Sequence, residues 1–310
     1  MSAELAFNRS VDVDYGVAEE VAPGVRRIVA NNPGPFTFLG TNTYLVGEEE
    51  VAIIDPGPLD EAHLDAIMRA TFGQRVRHIL ITHSHRDHSD NARPLQLRTG
   101  GEIIAYGPSG TPRGAGAPGL DGGFVDSALK PDLSVAHGDT IKGRGFALDI
   151  IHTPGHAPDH LCIALAGKRT VFTGDHVMGW NTTVIAPPEG NMADFMMSLD
   201  RLTGRHDKVF LPGHGGRIES PRRVVRAYMT HRTWREQTIL ACIDEGVGTI
   251  PKIVARLYSG LDANLKVAAA LSVLAHLQFL AARGLVTAEG ATEGLSAFYI
   301  RASAPGAASS

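Results

Sequence analysis

Four times along this chain an apolar, β-branched run ends and a histidine or aspartate follows within a few residues: ILIT runs into His83, DIIHTPG into His156, VFTG into Asp175 and VFLPG into His214. Imidazoles and carboxylates spaced so widely can act together only if the four strand ends converge, so this regularity restricts the topology before any other feature does. VRRIVA, TNTYLVG and EVAIIDPG, from Val25 onward, are short runs between turn residues and suit the first strands of a sheet. LDEAHLDAIMRATFG places Leu59, Leu64, Ile67 and Met68 at helical spacing, with acids early and a glycine at its end. A polar helix over NARPLQLRTG and a strand over EIIAYG follow. FALDIIHTPGH, LCIALAG, RTVFTGDHV, a helical ADFMMSLDRLTG and KVFLPGHGG then repeat the alternation. Two strand blocks with helices between and after them predict an α+β fold in which two sheets pack face to face with helices outside, a four-layer αββα sandwich.

From Ser220 the character changes. SPRRVVRAYMTHRTWREQTILACIDEG, TIPKIVARLYSG and NLKVAAALSVLAHLQFLAARG are helical patterns, the first two with proline near the first helical position, and LVTAEG with AFYI completes a hairpin. Three helices and a two-stranded wing make a C-terminal winged-helix domain. The expected division is 1–220 for a catalytic unit, 221–300 for the winged helix and 301–310 for a small, polar, disordered tail, and 310 residues suffice for two units. The Gly- and Pro-rich stretch from Pro108 to Asp126 is expected to be a mobile surface loop over the site.

Charge removes some functions. With 29 Lys and Arg against 33 Asp and Glu, the net charge of −4 gives the whole molecule no general attraction for nucleic acid or an anionic membrane. Cys162 and Cys242 form no CxxC or disulfide pattern, which fits buried cysteines in a reducing compartment. The first residues carry acids and no apolar segment of the secretory kind, and no run reaches the roughly 18 apolar residues that span a bilayer. A cytoplasmic protein with no membrane partner is the expectation. Nine basic residues from Arg201 to Arg235 stand against only Asp207 and Glu219. Such a stretch would suit a rim for phosphate, nucleotide or an acidic thioester, although a lone charge run is more often a solvated helix face.

The chemistry concentrates in His83-Ser84-His85-Arg86-Asp87-His88. Imidazole and carboxylate are ligands of zinc, iron and manganese, and on an extended segment side chains two apart point the same way. His83 and His85 can therefore share one cation while Asp87 and His88 turn towards a neighbour. THSHRDH (Thr82 to His88) resembles the HxHxDH signature of the metallo-β-lactamase-fold hydrolases. TPGH (Thr153 to His156), GD (Gly174, Asp175), PGHG (Pro212 to Gly215), TNTYLV and IDPG are similar to further motifs of that family, in order and approximate spacing, from Val25 to about Gly216.

The resemblance implies that His83, His85 and His156 bind a first metal, that Asp87, His88 and His214 bind a second, and that Asp175 bridges both. It makes Asp55 the carboxylate that orients a ligand histidine through its other ring nitrogen. His160 is either beside the metals or substrate or a hydrogen-bonded structural histidine. Trp180, Met192 and Phe195 follow Asp175 closely and are pocket-wall candidates, Phe195 more readily core. Two Zn2+ ions per chain, or Mn2+ or iron, would ready water for attack, with Asp87 orienting it and accepting its proton.

Asp175, near where zinc β-lactamases of the best-known subclass carry a cysteine ligand, argues against penicillin hydrolysis. His85, where flavo-diiron relatives carry glutamate, argues against that redox class, while a mononuclear-iron persulfide dioxygenase is still compatible. The segment from GDHVMGWNTTVIAPPEGNMADFMMSLDRL to HRTWREQTIL resembles the subgroup with an associated winged helix, to which β-lactamase-like protein 2 belongs, and more distantly resembles glyoxalase II. That implies a hydrolase acting on an ester, thioester, lactone or related small, anionic substrate, or alternatively an endoribonuclease acting on single-stranded RNA. A winged helix that binds nucleic acid as a module is the third class; only Tyr228 and Trp234 near the basic stretch could stack bases. A homodimer is compatible with all three.

Overall fold

The computed structural model describes residues 7–107, 124–289 and 294–302, and among these residues the strands form two large sheets and a small ribbon. The first sheet runs in spatial order β1 (Glu19–Ala22), β2 (Val25–Val29), β3 (Asn42–Val46), β4 (Glu50–Ile54), β5 (Arg75–Leu80), β6 (Glu102–Tyr106), β7 (Leu133–Val135). Pairing is antiparallel from β1 to β4 and parallel from β4 to β7. In the second sheet β8 (Thr140–Gly143), β9 (Phe146–His152), β10 (Leu161–Leu165) and β11 (Thr170–Gly174) form an antiparallel meander. β12 (Val209–Pro212) joins β11 in parallel after the crossover helix α4 (Met192–Thr203). The runs LSV and TIKG, which become β7 and β8, carry too few apolar residues to announce themselves as strands.

Strand alternation builds the layers. Tyr44, Val46, Ala52 and Ile54 face inward against Leu148, Ile150, Ile163 and Phe172 of the second sheet. Their neighbours Leu45, Val51 and Ile53 face outward against α1 (Glu61–Ala70) and α3 (Ala92–Thr99). Because both faces are covered, β3, β10 and β11 are buried at every position. The outer face of the second sheet, with Cys162, Val171 and Phe210, packs on α4 and on Val225 and Tyr228 of α5 (Pro221–Asp244). The expected αββα sandwich is therefore present. Leu59 differs from expectation: it stands outside α1, 74% exposed, because Asp60 caps the helix by accepting from the Ala62 N–H. Leu64 and Ile67 instead anchor α1, each worth about 1.5–3 kcal/mol when fully buried.

The C-terminal core joins the end of α5 to α6 (Ile250–Leu257), α7 (Lys266–Ala282) and a ribbon of β13 (Val286–Glu289) with β14 (Phe298–Arg301). These elements make the winged helix. α5 belongs to both cores: Val225 and Tyr228 pack on the sandwich, Ile239 and Cys242 on the winged helix. Arg301, placed in the tail by its sequence, ends β14 and pairs with Asp244. Most of the Pro108–Asp126 stretch and the tail from 303 lie outside the described residues. Among the described residues, no helix is long and apolar enough to cross a membrane.

Candidate metal centre

Four chain reversals at the same edge of the sandwich deliver the side chains. β5 leads into Thr82 and His83; His85 is still extended, at φ −68° and ψ 140°, and the chain then turns into the short helix α2 (Arg86–Ser89). The chain bends at Thr82 and His83 just past β5 before the extended His85, and the helical turn then sends Asp87 and His88 elsewhere. The turn after β9 presents His156, β11 ends at Gly174 before Asp175, and β12 ends at Pro212 before His214. The two sheets are stitched where these ends meet. Asn42 N–H donates to Gly213 O (2.8 Å), and Tyr44 Oη (2.7 Å) and Asn42 Nδ2 (2.8 Å) both donate to Pro212 O.

The seven expected ligands come together in overlapping groups. His83, His85 and His156 form one, Asp87, His88 and His214 a second, and His83, His88 and Asp175 a third between them, the ligand atoms of each group lying within 4.8 Å of one another. His85 Nδ1 is 3.0 Å from His83 Nε2 and 3.2 Å from His156 Nε2. His88 Nε2 and His214 Nε2 lie 3.4 and 3.3 Å from Asp87 Oδ2, and 3.6 and 3.4 Å from Asp175 Oδ1. Asp175 Oδ2 is 3.8 Å from His156 Nε2, so its two oxygens face different groups.

The opposite nitrogen of every candidate ligand ring is engaged. His156 Nδ1 donates to Val184 O (2.8 Å) and His214 Nδ1 to Gly40 O (3.1 Å). His88 Nδ1 meets Asp55 Oδ2 (2.9 Å) and His85 Nε2 meets Glu189 Oε1 (3.2 Å). His83 Nδ1 meets Thr82 Oγ1 (3.0 Å), whose own proton goes to Asp55 Oδ2 (2.7 Å). Assigned by this network, each ring carries its proton outward and turns a lone pair to the centre. Lone pairs at 3.0–3.2 Å repel unless a cation lies between them, and His88 Nε2 and Asp175 Oδ1 are buried with no hydrogen-bond partner. The donor set therefore fits divalent cations.

Electrostatics divide the cluster. Burial, reinforced by His88 and His85, holds His83 well below the ordinary imidazole value, and burial with His85 lowers His156. Burial pushes His88 and His214 the same way, but carboxylates outweigh it: Asp87 and Asp175 raise His88 well above its ordinary value, and Asp175 and Asp87 raise His214 to about 9. In return His214 and His88 hold Asp175 well below the usual carboxylate range despite its burial. Without a cation, protons on one group neutralise these acids.

A cavity of about 320 Å³ opens over the cluster, with His85, Asp87, His156, Asp175 and His214 among its lining residues. Its walls are mostly apolar. Phe36 and Phe124 meet edge to face at 6.1 Å, and Trp180, stacked on Phe38 at 4.9 Å, stands with Met178 and Val184. Met192 and Phe195 are in the core, 2% and 0% exposed. His160 is fully buried away from the cavity: Nδ1 meets Thr153 Oγ1 (2.9 Å) and Nε2 accepts the Asp175 N–H (3.1 Å). Among the described residues, Arg86 is the one cation on the cavity wall. The basic stretch is dispersed. Arg205 pairs with Asp207, Arg217 with Glu219, Arg232 and Arg235 are buried, and Arg222, Arg223 and Arg226 are exposed on α5.

Glu189 was not found by sequence reasoning. It has no motif and no regular spacing to the ligands. Its one signal is that it is the only acid between Asp175 and Asp194, in a stretch too rich in Pro and Gly to be regular structure.

Residues 36–214 match the family described as the Metallo-beta-lactamase superfamily, and residues 249–294 the Beta-lactamase associated winged helix domain. The chain is 31% identical over 273 residues to a Beta-lactamase-like protein 2 homolog of Drosophila melanogaster, covering 84% of this chain and 88% of that one. It is 31% identical over 236 residues to an Atrochrysone carboxyl ACP thioesterase of Passalora fulva, covering 73% of this chain but only 63% of that relative. The crystal structure of a metallo-beta-lactamase family protein from Thermus thermophilus has the same fold, with a TM-score of 0.74 at 23% identity over 91% of this chain and 100% of that one.

Proposed function

The chain belongs to the metallo-β-lactamase superfamily of hydrolases, and on that premise we propose that it hydrolyses an ester, thioester or lactone of a small acyl compound at a dinuclear metal centre. His83, His85 and His156 would hold one cation and Asp87, His88 and His214 the other, with Asp175 between them; Zn2+ suits this donor set best, Mn2+ or iron less closely. Such cations supply Lewis acidity, making water nucleophilic near neutral pH and polarising an acyl oxygen.

The residues do the rest. Asp87 lies on the cavity wall with its side chain 25% exposed, placed to orient water and take up its proton, while Thr41 Oγ1 steadies its Oδ2 at 3.3 Å. Phe36, Phe124, Trp180 and Met178 seat the apolar part of the substrate and thin the water around the reacting carbon. Arg86 at the rim favours a substrate with a distal negative charge. Cys162 is no nucleophile, being buried with its thiol pushed up to about 12.

One observation carries the choice of substrate: a histidine and aspartate cluster opens into an apolar, aromatic-walled cavity rather than a basic groove. An RNA site would need a path of cations along the backbone, and none of the nine basic residues from Arg201 to Arg235 lines the cavity. The relative described as an ACP thioesterase supports the acyl reading.

Protein loaded with Zn2+ or Mn2+ is assayed against acyl thioesters, aryl esters, lactones and single-stranded RNA oligomers. Acyl hydrolysis is expected, lost on chelation and restored by metal, and His83→Ala or Asp175→Ala should lower kcat/KM by at least about 10³-fold while the fold persists. RNA cleavage without acyl turnover, or full activity in either variant, would refute the proposal.

A further inference from the structure

We infer that Tyr228 and Arg232, one turn apart on α5, are positioning residues for the metal centre and act through the segment 178–189. The inference rests on the metal-binding part of the proposed function and not on the substrate.

This segment touches two ligands of the first group and the aspartate between the groups. Val184 O accepts the His156 Nδ1 proton at 2.8 Å, Glu189 Oε1 lies 3.2 Å from His85 Nε2, and Thr183 Oγ1 donates to Asp175 O at 2.7 Å. It also supplies the wall residues Met178, Trp180 and Val184. Yet it lies between β11 and α4 and has no regular structure of its own to hold it. Its backbone is met instead from α5. Tyr228 Oη accepts the Met178 N–H at 3.0 Å and lies 2.6 Å from Asn181 O and 2.8 Å from Met178 O, to either of which its single proton can go. Arg232 donates to Thr183 O. Ala186, near the far end, packs against the winged-helix core.

Arg232 is a poor choice for packing alone. It is 3% exposed, and among the described residues no carboxylate lies within ion-pair distance of it. Its Nε has no hydrogen-bond partner, and its guanidinium carbon lies 5.2 Å from the Phe195 ring centre. A buried lone guanidinium carries a heavy desolvation cost that an apolar side chain of similar length avoids. Burial accordingly lowers its pKa to about 10. What an apolar residue could not supply is the bond to Thr183 O, between the anchor points of Asp175 and His156.

Arg232→Met and Tyr228→Phe proteins, stripped of metal, are titrated with Zn2+ against a chromophoric chelator, and the thermal midpoint of each metal-free protein is measured alongside. Zinc affinity is expected to fall about tenfold in each variant. The metal-free midpoint of Arg232→Met should be unchanged or raised, because a buried charge is gone, and Arg232→Lys should recover part of the affinity. Zinc held as tightly by both variants as by the unaltered chain would overturn the inference, as would affinity that falls only in step with the midpoint. If Arg232→Met does not fold, Tyr228→Phe, which removes a single oxygen, decides. An unaltered chain that takes up no zinc would sink the metal-centre reading instead.

Discussion

The candidate ligand histidines differ from the other buried histidines in what their second nitrogen does. His83, His160, His176 and His276 are all 1% exposed or less. His160 uses both nitrogens on the protein and so serves as a strut beneath Asp175, while His176 and His276 have neither nitrogen met and are neutral packing. The carboxylates behind the ligand rings differ in the same way. Asp55, 2% exposed, accepts from Thr82 N–H (2.8 Å), Thr82 Oγ1 (2.7 Å) and His88 Nδ1 (2.9 Å), and it holds a left-handed backbone at φ +52°. Asp55→Ala would strand buried donors at about 1–3 kcal/mol apiece and strain the backbone, so both folding stability and zinc affinity should fall, the latter by about 10–100-fold. Glu189 makes one such contact, at the cavity, to a His85 side chain that is 14% exposed. The Glu189 side chain is itself buried but makes one contact rather than three, so Glu189→Ala should cost less stability than Asp55→Ala, about 1 kcal/mol, while still weakening zinc binding. Urea denaturation and zinc titration of both variants check this. Equal losses of stability would contradict the distinction.

Among the elements, the ones with a strong period were legible and the ones held by neighbours were not. The inward and outward alternation of Tyr44, Leu45 and Val46 could be read directly, and so could the helices built on Leu64 and Ile67 or on Phe195 and Leu199. The seven candidate ligands could be picked out because they sit in motifs at strand ends, and the fold brings them together. β7 and β8 were hidden, since edge strands bury only one position in a few, as were Glu189 and the anchoring role of Arg232, which arise from contacts between segments far apart in sequence. Close approach was equally invisible. A Cβ on Gly213, just past β12, would lie 2.6 Å from Asp175 Oδ1 and 2.7 Å from His88 Cε1. Gly213→Ala therefore pushes a methyl group into the second ligand group from a strand end that Asn42 holds in place. The expected cost is about 1–3 kcal/mol in stability. Zinc stoichiometry, measured by elemental analysis after loading, should fall below that of the unaltered chain, and an undiminished metal content would show that β12 can retreat.

For the molecule as a whole, the folded chain buries two opposed populations of histidines, and their balance should make stability depend on metal. Burial lowers His63 to about 4, His176 to about 3 and His276 well below 6.5. The unfolded chain binds protons there that the folded chain refuses, so this part of the stability is complete above about 6.5 and is lost as pH falls. His88 and His214 behave oppositely. In the metal-free protein their carboxylate neighbours outweigh burial, raising His88 well above 6.5 and His214 to about 9. Their contribution is complete below about 6.5 and disappears as pH rises through those raised values. Metal-stripped protein should thus be most stable near neutrality and lose on the order of 3 kcal/mol between about pH 6.5 and 9. A cation held by Asp87, His88 and His214 must displace those protons. Zinc affinity should therefore rise with pH across the same window, and the alkaline loss should vanish in the loaded protein. Denaturant midpoints of stripped and zinc-loaded protein, taken stepwise from about pH 5 to 9, check both limbs: both forms should weaken on the acid limb, the loaded one more steeply because protons there displace the metal, and the alkaline limb should be confined to the stripped one. If both forms weaken in parallel on the alkaline side, the second metal does not sit where His88 and His214 point.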